Sequence, residues 1–134
     1  MALNTLVVPS TLEARLEVEK RVLDFVDKTG YNSEEGIFSI KLALEETLVN
    51  AIRHGNKLDT SKNIRIAYGV DKNHLIIEVE DEGEGFDYSH LPDPTAPDRL
   101  ELPHGRGIML IKHYMDDIKF NGKGNRVRLV KRLF

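Results

Sequence analysis

The 134-residue sequence contains no cysteine, which excludes disulfide frameworks, cysteine-ligated zinc, iron–sulfur clusters and thiol nucleophiles, and fits a reducing compartment. No run approaches the roughly 20 apolar residues of a membrane span, and Met1 to Pro9 has neither the basic start nor the long apolar stretch of a secretory signal. A cytoplasmic protein without membrane association is therefore expected. Excess charge is missing as well: a formal net charge of -3 gives no global attraction to phosphate backbones or anionic lipid, so no direct nucleic-acid partner is expected. There is no internal repeat, low-complexity tract or linker. What remains is ordinary globular composition, 40% hydrophobic and 31% charged, at a length that suits a single domain over residues 1–134.

The order of elements follows from periodicity. Leu3 to Val8 reads as a strand ended by Pro9, and Ser10 with Glu13 forms a capping box for a helix whose stripe is Leu12, Leu16, Leu23 and Val26, stopped at Gly30. A second helix begins near Asn32 and carries Ile37, Ile40, Leu44, Leu48 and Ile52 at i, i+3, i+4 spacing, until Gly55 offers a left-handed cap. Ile64 to Val70 and Leu75 to Val79 alternate about a polar turn and predict a hairpin. Residues 87–104, with Pro92, Pro94, Pro97 and Pro103, predict a long functional loop. Gly105 to Met115 predicts a glycine-led helix, followed by strands at Ile118 to Asn121 and Arg126 to Leu133. The fold class is α+β: a two-layer sandwich with helices on one face of a mostly antiparallel, mixed sheet. Lys123, Arg126, Arg128, Lys131 and Arg132 are assigned to the outer side of the closing hairpin, since no aromatics interleave them as in a nucleic-acid surface.

Three segments carry candidate chemistry. Glu46, Asn50 and Arg53 share one side of the second helix, away from its apolar stripe. A carboxylate there can accept a hydroxyl proton and a neutral amide oxygen can ligate magnesium, although a solvated helical face would look the same. Asp81-Glu82-Gly83-Glu84-Gly85-Phe86 follows a strand; its glycines permit close backbone approach and Asp81 can accept from an exocyclic amine, while a plain acidic turn fits equally. His104-Gly105-Arg106-Gly107-Ile108 opens a helix, where free N–H groups and the dipole favour an anion, yet glycine at a helix start is also common. It matches neither the P-loop nor the dinucleotide fingerprint.

Taken in order, E-x-x-x-N on a helix, D-x-G-x-G-F after a strand and G-x-G opening a helix resemble the N, G1 and G2 boxes of the GHKL ATPase superfamily, over Glu46 to Ile111. The resemblance implies a Bergerat fold. The chain shows neither a dimerising helical hairpin with a phosphoacceptor histidine nor a transducer domain. With Pro92-Asp93-Pro94-Thr95, Gly105-Arg106-Gly107 and Met115-Asp116, it is most similar to anti-sigma-factor serine kinases of the RsbW and SpoIIAB type.

That resemblance implies ATP and Mg²⁺ as cofactors, Asn50 as the magnesium ligand and Glu46 as the base towards an acceptor serine. Asp81 would hold the adenine amine, Gly83 and Gly85 would shape the base pocket, and Phe86 would support it. Gly105, Gly107 and Ile108 would close on the phosphates, residues 87–104 would form a lid, and Arg53 would join the nucleotide contacts. Where some relatives carry a basic residue ahead of the first glycine, this sequence has Pro103 and His104, and Arg106 is the substitute. The implied function is phosphorylation of a STAS-type anti-anti-sigma antagonist and sequestration of a sigma factor, with a homodimer formed through the sheets. The alternatives are a nucleotide-gated protein-binding module, or a switch kinase on a STAS partner without sigma-factor binding.

Overall fold

The alternation of Ile64 and Ile66 with polar residues, and of Leu75, Ile77 and Val79 after the turn, places one row of each strand in the core, and all five side chains are buried. The strands β2 (Asn63–Asp71) and β3 (His74–Glu80) pair antiparallel with Ile66 opposite Val79. Their turn holds Lys72 and Asn73 at φ 48° and 68°, the left-handed pair that matches the twist of a tight hairpin. In the computed structural model, residues 3–85 and 105–134 are described, with side chains from Ile108 onward in the second stretch. Phe86, the proline-bearing segment and the lid expected at 87–104 lie outside the described residues, as does the side chain of Arg106.

β1 (Asn4–Pro9) borders β2, and the closing hairpin of β4 (Asp117–Phe120) and β5 (Arg126–Arg132) adds on the far side, in the order β1-β2-β3-β5-β4. Every pairing is antiparallel, so the mixed sheet expected from sequence is purely antiparallel among the described residues. Three helices cover one face: α1 (Leu12–Lys28), α2 (Glu34–Asn50) and α3 (Gly105–Tyr114), with α2 packed against both others. Ile40, Leu44, Leu48 and Ile52 meet the sheet residues Ile66, Ile77 and Leu129 in a single core. Arg126 and Arg128 emerge on the opposite face beside Glu80 and Glu78, as assigned, whereas Lys131 stands opposite Leu75 in the inward row of β5. No described helix is long and apolar enough to cross a membrane.

Several local expectations are corrected. The N-cap of α1 is Thr11, whose side chain accepts from the Ala14 N–H at 3.1 Å, rather than Ser10. Ser10 is buried and its Oγ accepts from Asn56 Nδ2 at 3.0 Å, so it is not available to cap the helix. Leu12 and Leu16 are 43% and 59% exposed, and the buried face of α1 is Val18, Val22 and Val26 at strict i+4 spacing. α2 starts at Glu34, capped by Ser33, with Glu34 and Glu35 complementing the positive end of the dipole. Gly55 is not a left-handed cap, because α2 runs on into a π turn over Ala51–Gly55.

Between α1 and α2, Arg15 bridges to Glu45 at 2.9 Å and lies 4.0 Å from the buried Glu19. Burial raises the Glu19 pKa, and the Arg15 charge offsets only part of that. Glu19 is therefore easier to bury protonated: its stabilising contribution is complete below the unfolded pKa and is lost as pH rises through the raised folded value. Glu19→Gln is expected to raise the melting temperature above that pH, by about 4 °C per kcal/mol for a domain this size. The gain should vanish in acid. Thermal melts of both proteins across pH check this, and a gain independent of pH would refute it.

Candidate functional site

At the carboxyl end of α2 the backbone changes pitch: the Asn56 N–H reaches the Ala51 carbonyl and the Leu58 N–H the Ile52 carbonyl, both at 2.8 Å. Such single π turns recur at functional sites because they re-aim the residues that follow. Here the turn brings Gly55 against the end of β3. A Cβ on Gly55 would sit 2.2 Å from Asp81 Oδ2, and one on Gly83 would sit 2.1 Å from the Gly55 carbonyl oxygen. These two glycines are needed for close approach.

Asp81 directly follows β3 and is held from several sides. Its Oδ1 accepts from the Gly83 N–H at 2.8 Å, its N–H donates to the Asn125 carbonyl at 2.9 Å, and its own carbonyl accepts from Asn125 Nδ2 at 2.9 Å. Asn125 is fixed in turn by Asn121 Nδ2 at 2.8 Å, while Asn121 Oδ1 accepts from the Gly124 N–H. Burial pushes the Asp81 carboxyl up, against the opposing pull of the Gly83 N–H and the more distant Lys123 charge. Burial, with help from Arg53, lowers the His54 imidazole.

Asp81 opens into a cleft between α2, α3 and the sheet. Its apolar walls include Ala51, Val79, Ile108, Ile111 and Val127, with Asn50 and Thr47 on the α2 side. A mainly apolar cleft with a half-buried carboxylate on its wall has the form of a site for a ring bearing an exocyclic amine. Of the candidate residues from sequence, Asn50, Asp81, Gly85 and Ile108 share this cleft. Glu46 lies one turn before Asn50, half-buried and off the cleft wall, and Arg53 is exposed beyond it. Gly83 supports Asp81 from behind, and Gly85, at φ 82°, packs on the Lys123 carbonyl. Gly105 and Gly107 belong to the first turn of α3.

Glu45, adjacent to Glu46, is tied to Arg15 rather than simply solvated. Of these two neighbouring carboxylates only Glu46 makes no hydrogen bond or ion pair among the described residues. Sequence reasoning did not find Asn56, Asn121 or Asn125. Asn121 and Asn125 flank the Gly122-Lys123-Gly124 turn, which signalled a hairpin but not its grip on Asp81. The described residues contain no group of three or more acidic, histidine or cysteine side chains suited to a metal. A hard cation here would take its remaining oxygens from a ligand and water.

A family model described as "Histidine kinase-like ATPase domain" matches residues 8–131. The chain is 34% identical over 97 residues to "Serine-protein kinase RsbW" of Oceanobacillus iheyensis, an alignment covering 68% of this chain and 61% of that protein. It is 31% identical over 114 residues to the Bacillus subtilis protein of the same name, covering 79% of this chain and 70% of that one. Among solved structures, the RsbU and RsbW domains of a Mycobacterium tuberculosis protein superpose with a TM-score of 0.70 at 16% identity, over 99% of this chain and 32% of that chain, a likeness of fold.

Proposed function

The chain belongs to the histidine kinase-like ATPase family, in its RsbW branch, and from that premise we propose that it is a protein serine kinase using ATP and Mg²⁺. The observation that carries this reading is one apolar cleft joining a half-buried acceptor, Asp81, to the amide of Asn50, one helical turn from a carboxylate, Glu46, that makes no ion pair among the described residues. An adenine ring would be bounded by Ala51, Val79 and Ile108, with its amine donating to Asp81. Phosphates would then extend towards Asn50 and the opening turn of α3, whose helix dipole favours anions.

The donor set suits magnesium. Asn50 would supply a neutral oxygen, and magnesium that arrives with a phosphate ligand needs few protein ligands. When bound, the ion neutralises charge developing on the transferred phosphoryl group. Glu46 accepts the proton of the serine hydroxyl, while Asn50 and Asp81 fix the two ends of the nucleotide. The substrate is a STAS-type anti-anti-sigma antagonist and the sequestered partner a sigma factor. Together with homodimerisation through the sheets and a cytoplasmic location, these partner assignments extend the family reading. Incubating a STAS protein with the chain and Mg-ATP, followed by mass spectrometry, should show one serine phosphate. Tight nucleotide binding with no phosphate would instead indicate a nucleotide-gated binding module.

Asn50→Ala is expected to weaken Mg-ATP binding by about tenfold to a hundredfold, the range for losing one oxygen that meets a charged partner. Binding in the absence of magnesium should change far less. Calorimetry of both proteins with and without the ion reads this directly. An equal loss in both conditions would remove Asn50 from the metal site.

A further inference from the structure

We infer that Asn56, a residue outside the cleft, is the positioning residue that sets selectivity for the exocyclic amine of the base; this rests on the reading of Asp81 as the amine acceptor. Asn56 is fully buried and uses its whole amide. Nδ2 donates to Ser10 Oγ at 3.0 Å and to the Asn63 carbonyl at 3.0 Å, while Oδ1 accepts from the Glu82 N–H at 2.8 Å. The orientation is forced, because the flipped amide would set its NH₂ against the Glu82 N–H and its oxygen against a carbonyl.

These bonds join three separate pieces of chain to the corner that carries Asp81. Ser10 closes the β1–α1 junction, with its N–H on the Lys62 carbonyl, and Asn63 starts β2 with its own N–H on the Glu82 carboxylate. Glu82 directly follows Asp81, and Gly55, directly before Asn56, packs its Cα on the Asp81 carboxylate. The dipeptide Gly55-Asn56 therefore grips the Asp81-Glu82-Gly83 corner twice: Gly55 by contact with the acid and Asn56 by the adjacent backbone bond. Without Asn56 Oδ1 the Glu82 N–H loses its acceptor; Asn125 still holds the Asp81 backbone and Gly83 its Oδ1, so the corner loosens on the side facing Gly55 and Asn56 and the acid shifts relative to the base. Ile108 and Ile111 on α3 and Val127 on β5 stand apart from this corner and keep the opposite walls in place.

The test compares ATP with the triphosphate of purine riboside, which lacks only the 6-amino group. Wild type should prefer ATP by about tenfold to a hundredfold, as one hydrogen bond to a charged acceptor confers. Asn56→Ala and the milder Asn56→Ser should bring the two affinities to within about threefold by weakening ATP alone, the purine analogue keeping its affinity. Ser10→Ala, which removes a partner of Asn56 on the side remote from the corner, should lower the melting temperature and keep the preference. Folding is checked by circular dichroism, and the serine variant stands in if the alanine variant does not fold. A wild type with no preference for ATP would overturn the reading of Asp81. A preference retained in a folded Asn56 variant, or an equal loss for both nucleotides, would overturn the role of Asn56.

Discussion

Replacing Glu46 by glutamine is expected to lower serine phosphorylation by about 10²- to 10⁴-fold, the contribution of a positioned general base. Mg-ATP affinity should stay within about threefold of wild type, because a residue off the cleft wall adds little ground-state binding. The expectation comes from how the structure divides two adjacent carboxylates. Glu45 is held by Arg15 at 2.9 Å and belongs to the α1–α2 contact. Glu46 points elsewhere on the same helix, about 100° round, and has no ion-pair partner among the described residues. Glutamine keeps the shape and hydrogen-bonding capacity of glutamate while losing the ability to take a proton. The Glu45→Gln variant is the matched control: it should lower stability and leave transfer nearly intact. Single-turnover transfer to a STAS protein measures both, and unchanged transfer in Glu46→Gln would end the base assignment.

The second large effect is expected at Asp81. In Asp81→Asn the single amide oxygen is retained by the Gly83 N–H, which turns the NH₂ towards any amine donor in the cleft. Donor then faces donor, and ATP affinity should fall by about a hundredfold or more, combining a lost charge-assisted bond with an unmet polar pair. The wild-type carboxyl also carries a pH signature. Burial raises its pKa, so it protonates at a higher pH than an ordinary aspartate, and ATP affinity should fall as pH drops through that raised value. Ionised Asp81 is the form that ATP selects, so binding in that range should release a proton. Calorimetry in buffers of different ionisation enthalpy detects the release. Its persistence in Asp81→Asn would assign it to another group, such as His54.

Much of this site was readable where a residue's role follows from its neighbours in sequence. Ile64, Ile66, Leu75 and Ile77 alternate and are buried, and the stripe of α2 occupies the core as its spacing requires. The D-x-G corner and the N-box asparagine do converge on one cleft. The misread features depend on partners distant along the chain. Asn56 meets Ser10 46 positions away and Asn125 meets Asp81 44 positions away, and neither pairing leaves a periodic trace. In α1 two apolar stripes coexist, one of leucines and one of valines, and only packing against the sheet and α2 selects Val18, Val22 and Val26. Gly55 was correctly marked as special for the wrong reason: its missing side chain makes room for Asp81.

The π turn at Ala51–Gly55 fits in one residue more than an α-helix would over the same rise. Everything before it, including Glu46 and Asn50, keeps the phase of α2, whereas Gly55 and Asn56 are offset by about one residue's rotation, some 100°. The Asn50 end and the Asp81 end of the cleft therefore obey different rotational registers of one continuous helix. Removing one residue from this turn should rotate Gly55 and Asn56 relative to Asp81 while the core stripe of α2, with Glu46 and Asn50, keeps its phase.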